Sequence, residues 1–227
     1  MAAALSSLCL GLPPPAARQV FDFVFHPAGY LHADRSRLHI PAPLHGVGMS
    51  DHLVSSCLLS SLGLNEDVDL DLHDRAHRAA LLPASVLENL ALRLALSQQS
   101  PRMKQVILRS ELELLQKQLT PADWDFIFKQ QPSHANTDEP QLLDSVPVAD
   151  WPARLTKWGW RTLESACSVL PQSVGKRLLL KLPIVSGPQY LSPELACARM
   201  RSIYPALVGQ WNAQWDADWQ TAASSSP

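Results

Sequence analysis

Two histidines at helical spacing are the first residues that could do chemistry. His73 and His77 stand four apart in the run His-Asp-Arg-Ala-His. A helix would place both imidazoles on one face, a spacing that can hold zinc. The acid between them is Asp74, whose side chain is too short to act as the base of a His-Glu-x-x-His motif. Spacing indicates no third ligand, so a solvated polar turn is favoured over a metal site.

Other candidate sites each lack an essential residue. Asp67, Asp69 and Asp71 alternate as calcium ligands do, but the glycine and the closing glutamate of an EF-hand loop are missing. The pair Gly175-Lys176 has no upstream glycine, and Arg177 stands where a phosphate loop needs serine or threonine. No Gly-x-Ser-x-Gly elbow occurs either. The sequence therefore predicts no catalytic residue, no metal site and no cofactor.

Composition narrows the class of protein further. The 227 residues are 46% hydrophobic, which is typical of a globular chain. A net charge of −2 leaves no basic excess to bind phosphates, so nucleic acid is not expected as a partner. No apolar run approaches the roughly 20 residues that span a bilayer, so direct membrane insertion is not expected. The four scattered cysteines are typical of buried thiols in a reducing, cytoplasmic compartment.

A tryptophan series near the end of the chain is the first candidate binding surface. Trp211, Trp215 and Trp219 are spaced by four, which predicts one aromatic stripe on a helix. Tryptophan is enriched at interface hot spots, so this stripe is a candidate partner surface. The alternative is that the helix packs on the core of its own chain.

A basic cluster is the second candidate surface. Lys176, Arg177 and Lys181 flank a run of leucines on a predicted helix. Such a helix could meet an acidic partner face. The more common role for such charges is to solvate the edge of a buried leucine stripe.

Near the start, Phe21, Phe23 and Phe25 alternate, and this period predicts a short N-terminal strand or extended segment. Pro27 then forces a turn, because the residue before a proline avoids helical geometry. The turn presents Tyr30 next to histidines, and the Pro- and Gly-rich chain from 35 to 50 is predicted to be loop.

The rest of the chain is rich in helix caps followed by apolar stripes of 3.6-residue period. The sequence therefore predicts a mainly α fold, a compact multi-helix globular domain with at most that short N-terminal strand. Residues 1–18 are expected to be a disordered leader, 19–219 a single α-rich domain, and 220–227 a disordered tail. Helices are predicted over 51–62, 75–82, 83–99, 101–119, 121–131, 147–170 and 172–182, and from 193 onward with a kink or split at Pro205.

Three stretches resemble one known family. His26-Pro-Ala-Gly-Tyr-Leu-His32 is similar to the N-terminal motif, approximately Cys-Pro-Ala-Ala-Tyr-Leu-His, of the type III secretion K proteins, the SctK/YscK/PscK family. Lys176-Arg-Leu-Leu-Leu-Lys-Leu-Pro-Ile184 resembles that family's Lys-Arg-Leu-Ser-Leu-Arg-Leu-Pro-Leu. The leucine-rich middle from 87 to 115 is a third, weaker match. The order and spacing agree over residues 21–205.

The resemblance implies a non-enzymatic structural adaptor of the cytoplasmic sorting platform beneath the type III secretion injectisome. It would link the cytoplasmic domain of the inner-membrane ring protein SctD to the pod protein SctQ, as a monomer in isolation that sits peripheral to the inner membrane. Residues transferred from the motif as partner-binding candidates are His26, Pro27, Tyr30, Leu31 and His32. The alternatives are a metal-binding protein or enzyme that uses His73 and His77, and a secretion chaperone, a class that is usually small, acidic and dimeric.

Overall fold

The computed structural model describes residues 12–40, 50–65, 68–106, 108–129, 143, 146–189, 191–212, 214–217 and 219. The expected leader through residue 11, most of the loop predicted from 132 to 146 and the expected tail from 220 lie outside these ranges. Within them the protein is all helical, with no strand, as the predicted mainly α class requires. The helices are α1 Pro14–Phe25, α2 Ala33–His39, α3 Asp51–Ser61, α4 Arg75–Leu81, α5 Ala84–Met103, α6 Arg109–Gln118, α7 Pro121–Lys129, α8 Trp151–Cys167, α9 Gln172–Lys181 and α10 Pro193–Trp211. Short 3₁₀ turns cover Pro27–Tyr30 and Val148–Asp150.

The core is built on two long helices. α5 and α8 pack on each other along their length, and α10 lies against both. Gly159 sets how closely they approach, because a Cβ at this position would lie 1.9 Å from the carbonyl oxygen of Ala91. Only a glycine permits that backbone contact. α7 covers α5 on one side, and α4 and α9 close the other end of the core.

Several residues of types that favour helix ends lie at helix ends in the structure. Thr120 and Asp123 exchange hydrogen bonds at the start of α7, with Thr120 N donating to the Asp123 carboxylate at 2.9 Å and Asp123 N donating to the threonine hydroxyl at 3.3 Å. Ser192 caps α10 by accepting from Leu195 N. Gly63, at φ +63°, follows the end of α3. These signals are local, so they do not depend on the rest of the fold.

The short N-terminal strand was a wrong prediction. Phe21, Phe23 and Phe25 lie in α1, which begins at Pro14 and so makes residues 14–18 of the expected leader helical. The buried side chains of this helix include Val20, Phe23 and Val24, a set spaced by three and four. The alternation of the aromatic residues does not follow this buried stripe, because Phe21 lies on the exposed side of the helix.

Helix boundaries differ from the prediction at three other places. α2 occupies part of the chain predicted to be loop after Arg35. α5 continues through Pro101 instead of restarting there, and the carbonyl of Ser97, which loses its backbone donor to the proline, accepts a bond from the Ser100 hydroxyl at 3.4 Å. The helix predicted over 101–119 begins only at Arg109, as α6. α10 is not split at Pro205.

Candidate functional site

The two stretches that resemble the K-protein motifs pack against each other, although some 150 residues separate them. His32 N donates to the carbonyl of Leu180 at 2.8 Å, and Arg35 Nε donates to the carbonyl of Leu182 at 3.2 Å. Both carbonyls lie at the C-terminal end of α9, where helical carbonyls lack intrahelical donors. We call residues 23–35 together with 176–184 the motif junction.

Arg177 is the most enclosed cation of the motif junction, with 1% of its surface exposed. Its guanidinium donates to the carbonyl oxygens of Val24 at 3.3 Å and Leu64 at 2.7 Å, and to Ser173 in its own helix at 2.9 Å. Val24 is in the last turn of α1, and Leu64 follows the end of α3. One side chain therefore joins the ends of two helices to α9, and a guanidinium suits this because its donors diverge.

Lys181 makes the equivalent contact at the end of α4. Its ammonium donates to the carbonyls of Ala80 at 2.7 Å and Leu82 at 3.0 Å, and it lies 5.0 Å from the ring centroids of Phe23 and Tyr30. Unpaired carbonyls and the negative end of the helix dipole both favour a cation there. The side chain is nonetheless buried, and burial lowers the pKa of Lys181 to about 7.

Lys176 completes the set that we call the α9 cations, which are Lys176, Arg177 and Lys181. Its ammonium donates to the carbonyl of Leu62 at the end of α3, at 2.9 Å. Arg177 and Lys181 are enclosed and their acceptors belong to this chain, which favours a structural role for them over a partner-facing one. Three helix C-termini converge on the side of α9 that carries these cations.

Residues of the N-terminal motif also pack in the interior of the protein. Pro27 is buried, and the Tyr30 hydroxyl donates to the carbonyl of Phe23 at 2.7 Å while the two rings stack at 5.8 Å. Burial raises the pKa of Tyr30. His32 caps α2, its Nδ1 accepting from Asp34 N. His26 and Leu31 are each half-buried, and the His26 ring lies 3.1 Å from the Asp22 carboxylate.

The tryptophan series does not form one exposed helical stripe. α10 ends at Trp211, Asn212 is extended, and its side-chain oxygen accepts from Gln214 N to begin a separate helical turn. The rings still form a ladder, with centroid distances of 5.1 Å and 5.4 Å. Trp219 is fully buried, and Trp215 donates to the Tyr204 hydroxyl at 2.9 Å. Of the three, Trp211 is the one that is substantially exposed, at 41%.

Of the two histidines, His77 has a structural partner, while His73 is exposed. His77 is buried, and its Nδ1 accepts from Asp71 N at 2.9 Å. Asp74 caps α4 and receives two bonds from the Arg201 guanidinium, at 2.8 Å and 2.6 Å, which lower the pKa of Asp74. Among the residues that the structure describes, no group of three histidine, cysteine, aspartate or glutamate side chains could hold a metal ion.

One cationic surface was not predicted from the sequence. Arg154, Lys157 and Arg161 share a face of α8 at spacings of three and four. They line a cavity of about 100 Å³ beside Trp158 and the chain segment 186–188. The i, i+3, i+7 spacing of the three charges was the available signal, but without the opposing segment it is indistinguishable from an ordinary solvated helix face.

These features define a helical protein in which the motif residues hold helix ends together, and in which Arg154 and Lys157 on α8 are exposed cations. A family model described as YOP proteins translocation protein K (YscK) matches residues 18–221. The chain therefore belongs to the YscK family and is a type III secretion protein, which confirms the resemblance. Comparison with curated proteins finds no match, and comparison with solved structures finds none. Within the described residues, no helix is both long and apolar enough to cross a membrane.

Proposed function

We propose that this chain is a non-catalytic adaptor of the injectisome's cytoplasmic sorting platform. In this role it joins the cytoplasmic domain of an SctD-type inner-membrane ring protein to an SctQ-type pod protein, and it needs no cofactor. It is a monomer before assembly and lies peripheral to the inner membrane. The starting point is membership of a type III secretion family over nearly the whole chain.

The observation that carries the proposal is the use of the polar groups at both family motifs. Arg177, Lys181 and Tyr30 all bind main-chain carbonyls, and their acceptors lie at helix ends of the same chain. Side chains bound in this way stabilise the fold. A catalytic group, in contrast, must reach a reacting atom of a substrate. A rigid helical body with separate exposed surfaces is what an adaptor between two proteins requires.

Two exposed places among the predicted binding residues remain open for partners. One is the His26 side of the motif junction, where the ring is half-exposed next to Asp22. The other is Trp211, which offers an exposed indole at the edge of the tryptophan ladder. His26 follows the last residue of α1, and Trp211 is the last residue of α10, so each can be altered without the other.

The test is reconstitution with the SctD cytoplasmic domain and SctQ from the same secretion system. We expect these two proteins to co-elute on size exclusion only when the full-length chain is added. Trp211→Ala and His26→Ala then assign the two surfaces, and Lys129→Ala, at a residue whose side chain is 78% exposed on α7, is the matched control. Absence of a ternary complex with the unaltered chain would reject the adaptor function. A stable dimer of the free chain would instead favour the chaperone alternative.

A further inference from the structure

A groove lies between α8 and the chain that follows α9. Arg154, Lys157 and Arg161 form one wall, and Ser186, Gly187 and Pro188 form the other. We call this the α8 basic groove. Its two walls are held in contact, because Arg161 donates to the carbonyl of Val185 at 3.3 Å. The groove is therefore a built feature of the fold and not a chance alignment of surface charges.

The three cations of the α8 basic groove differ in whether they have a carboxylate partner. Arg161 pairs with Glu164, whose carboxylate also receives Arg35 of the motif junction at 3.3 Å. Arg154 and Lys157 are exposed, and no carboxylate in the described part of the chain forms an ion pair with either. Among the described residues, two cations of the groove therefore have no carboxylate partner and the third has one, on a protein whose net charge is −2.

The segment opposite these cations lies close to one of them. Gly187 has φ +141°, a conformation that side chains rarely adopt. A Cβ there would be 3.9 Å from Lys157 Cε, so the lysine stem lies across the glycine. The indole of Trp158 is 5% exposed and gives the cavity an apolar lining. A ligand would thus meet cations at the rim and an apolar surface inside.

We infer that the α8 basic groove binds an acidic peptide segment of a protein partner, with carboxylates on Arg154 and Lys157 and a small apolar side chain in the cavity. A cavity of about 100 Å³ accommodates one side chain and not a larger cofactor. Nucleic acid and anionic bilayers are recognised by more extended basic surfaces than two free cations provide. The inference rests on the proposed adaptor function and names the chemistry of one of its two contacts.

The test uses the full-length chain with charges reversed, Arg154→Glu together with Lys157→Glu. Binding to the SctD cytoplasmic domain and to SctQ is measured separately, at low and at high salt. We expect at least a tenfold loss of affinity for one of the two partners, and a weaker salt dependence of what remains. Arg154→Lys with Lys157→Arg, which keeps both charges, should retain at least a third of the affinity.

The matched control is Arg109→Glu with Lys117→Glu, two exposed cations on α6 that should leave both affinities within twofold. Equal partner binding by the unaltered and charge-reversed chains would overturn the inference and leave the adaptor function intact. Failure of the unaltered chain to bind either partner would overturn both. An equal loss in the α6 control would also overturn the inference, because it would show a non-specific charge effect.

Discussion

The motif junction and the α8 basic groove use the same residue types in opposite ways. In the motif junction, Arg177 and Lys181 leave solvent and bind carbonyls at the ends of three helices. In the groove, Arg154 and Lys157 remain in solvent with no carboxylate partner in the described part of the chain. Both sets lie on amphipathic helices beside apolar residues. What separates structural cations from available ones is therefore the group placed opposite them, and not their spacing along the helix.

The largest effect is expected for Arg177→Leu. This change leaves the carbonyls of Val24 and Leu64 buried without their donor, so we expect the free energy of unfolding to fall by about 3 kcal/mol. Urea denaturation followed by tryptophan fluorescence measures it. The control is Arg109→Leu, whose side chain is 93% exposed and which should change stability by less than about 0.5 kcal/mol. Similar losses in both variants would abolish the distinction between the two regions.

Lys181 gives the second largest effect, as a pH dependence. The unfolded chain has the ordinary lysine pKa of 10.5, and burial lowers the folded value to about 7. Below pH 7 both states hold the proton and the full cost of burial is present. Between pH 7 and 10.5 the unfolded chain binds a proton that the folded chain does not, so this group makes stability rise with pH.

The measurement compares the unaltered chain with Lys181→Met at pH 7 and at pH 9.5. We expect the difference between their unfolding free energies to shift by about 2 kcal/mol in favour of the unaltered chain at the higher pH. The two carbonyls and two rings around Lys181 favour its ammonium form. They oppose the effect of burial on the pKa, so the expected shift in free energy is smaller than burial alone would give. Taking the difference removes the titration of cysteines and tyrosines, which both chains share. Parallel pH curves would show that Lys181 stays charged throughout.

A smaller effect is expected for Tyr30→Phe. The ring and its stack on Phe23 remain, but the carbonyl of Phe23 loses the hydroxyl donor at 2.7 Å. We expect a loss of about 1 kcal/mol in unfolding free energy. Tyr30→Leu should cost more, because it also removes the ring face next to Lys181. A Tyr30→Phe chain as stable as the original, but deficient in partner binding, would return this residue to the binding surface.

The smallest effect on stability is expected in the α8 basic groove. Replacement of both Arg154 and Lys157 by alanine should change the free energy of unfolding by less than about 0.5 kcal/mol, because both side chains are exposed and unpaired within the described chain. Thermal melting by circular dichroism checks this. A loss above about 1 kcal/mol would mean that these cations are structural as well, and the two regions would no longer differ in kind.

The amino-acid sequence by itself determined the helical class and many helix ends. Thr120 with Asp123, Ser192 and Gly63 act through bonds or dihedral angles within a few residues, so their effects can be read without the fold. The resemblance to the family was also visible in the sequence, and the family match confirms it. The physical role of the α9 cations was not visible, because it depends on helix ends that lie 99 to 153 residues away.

Only the tertiary structure decided which charges are enclosed. Both α9 and α8 carry cations at helical spacing, but the fold brought the C-termini of α1, α3 and α4 to the first and a short solvent-exposed segment to the second. Tertiary contacts also buried Phe23 and Trp219. Whether a side chain is buried depends on what packs against it. The periodicity of a sequence predicts which face of a helix is apolar, but it does not predict which element packs on that face.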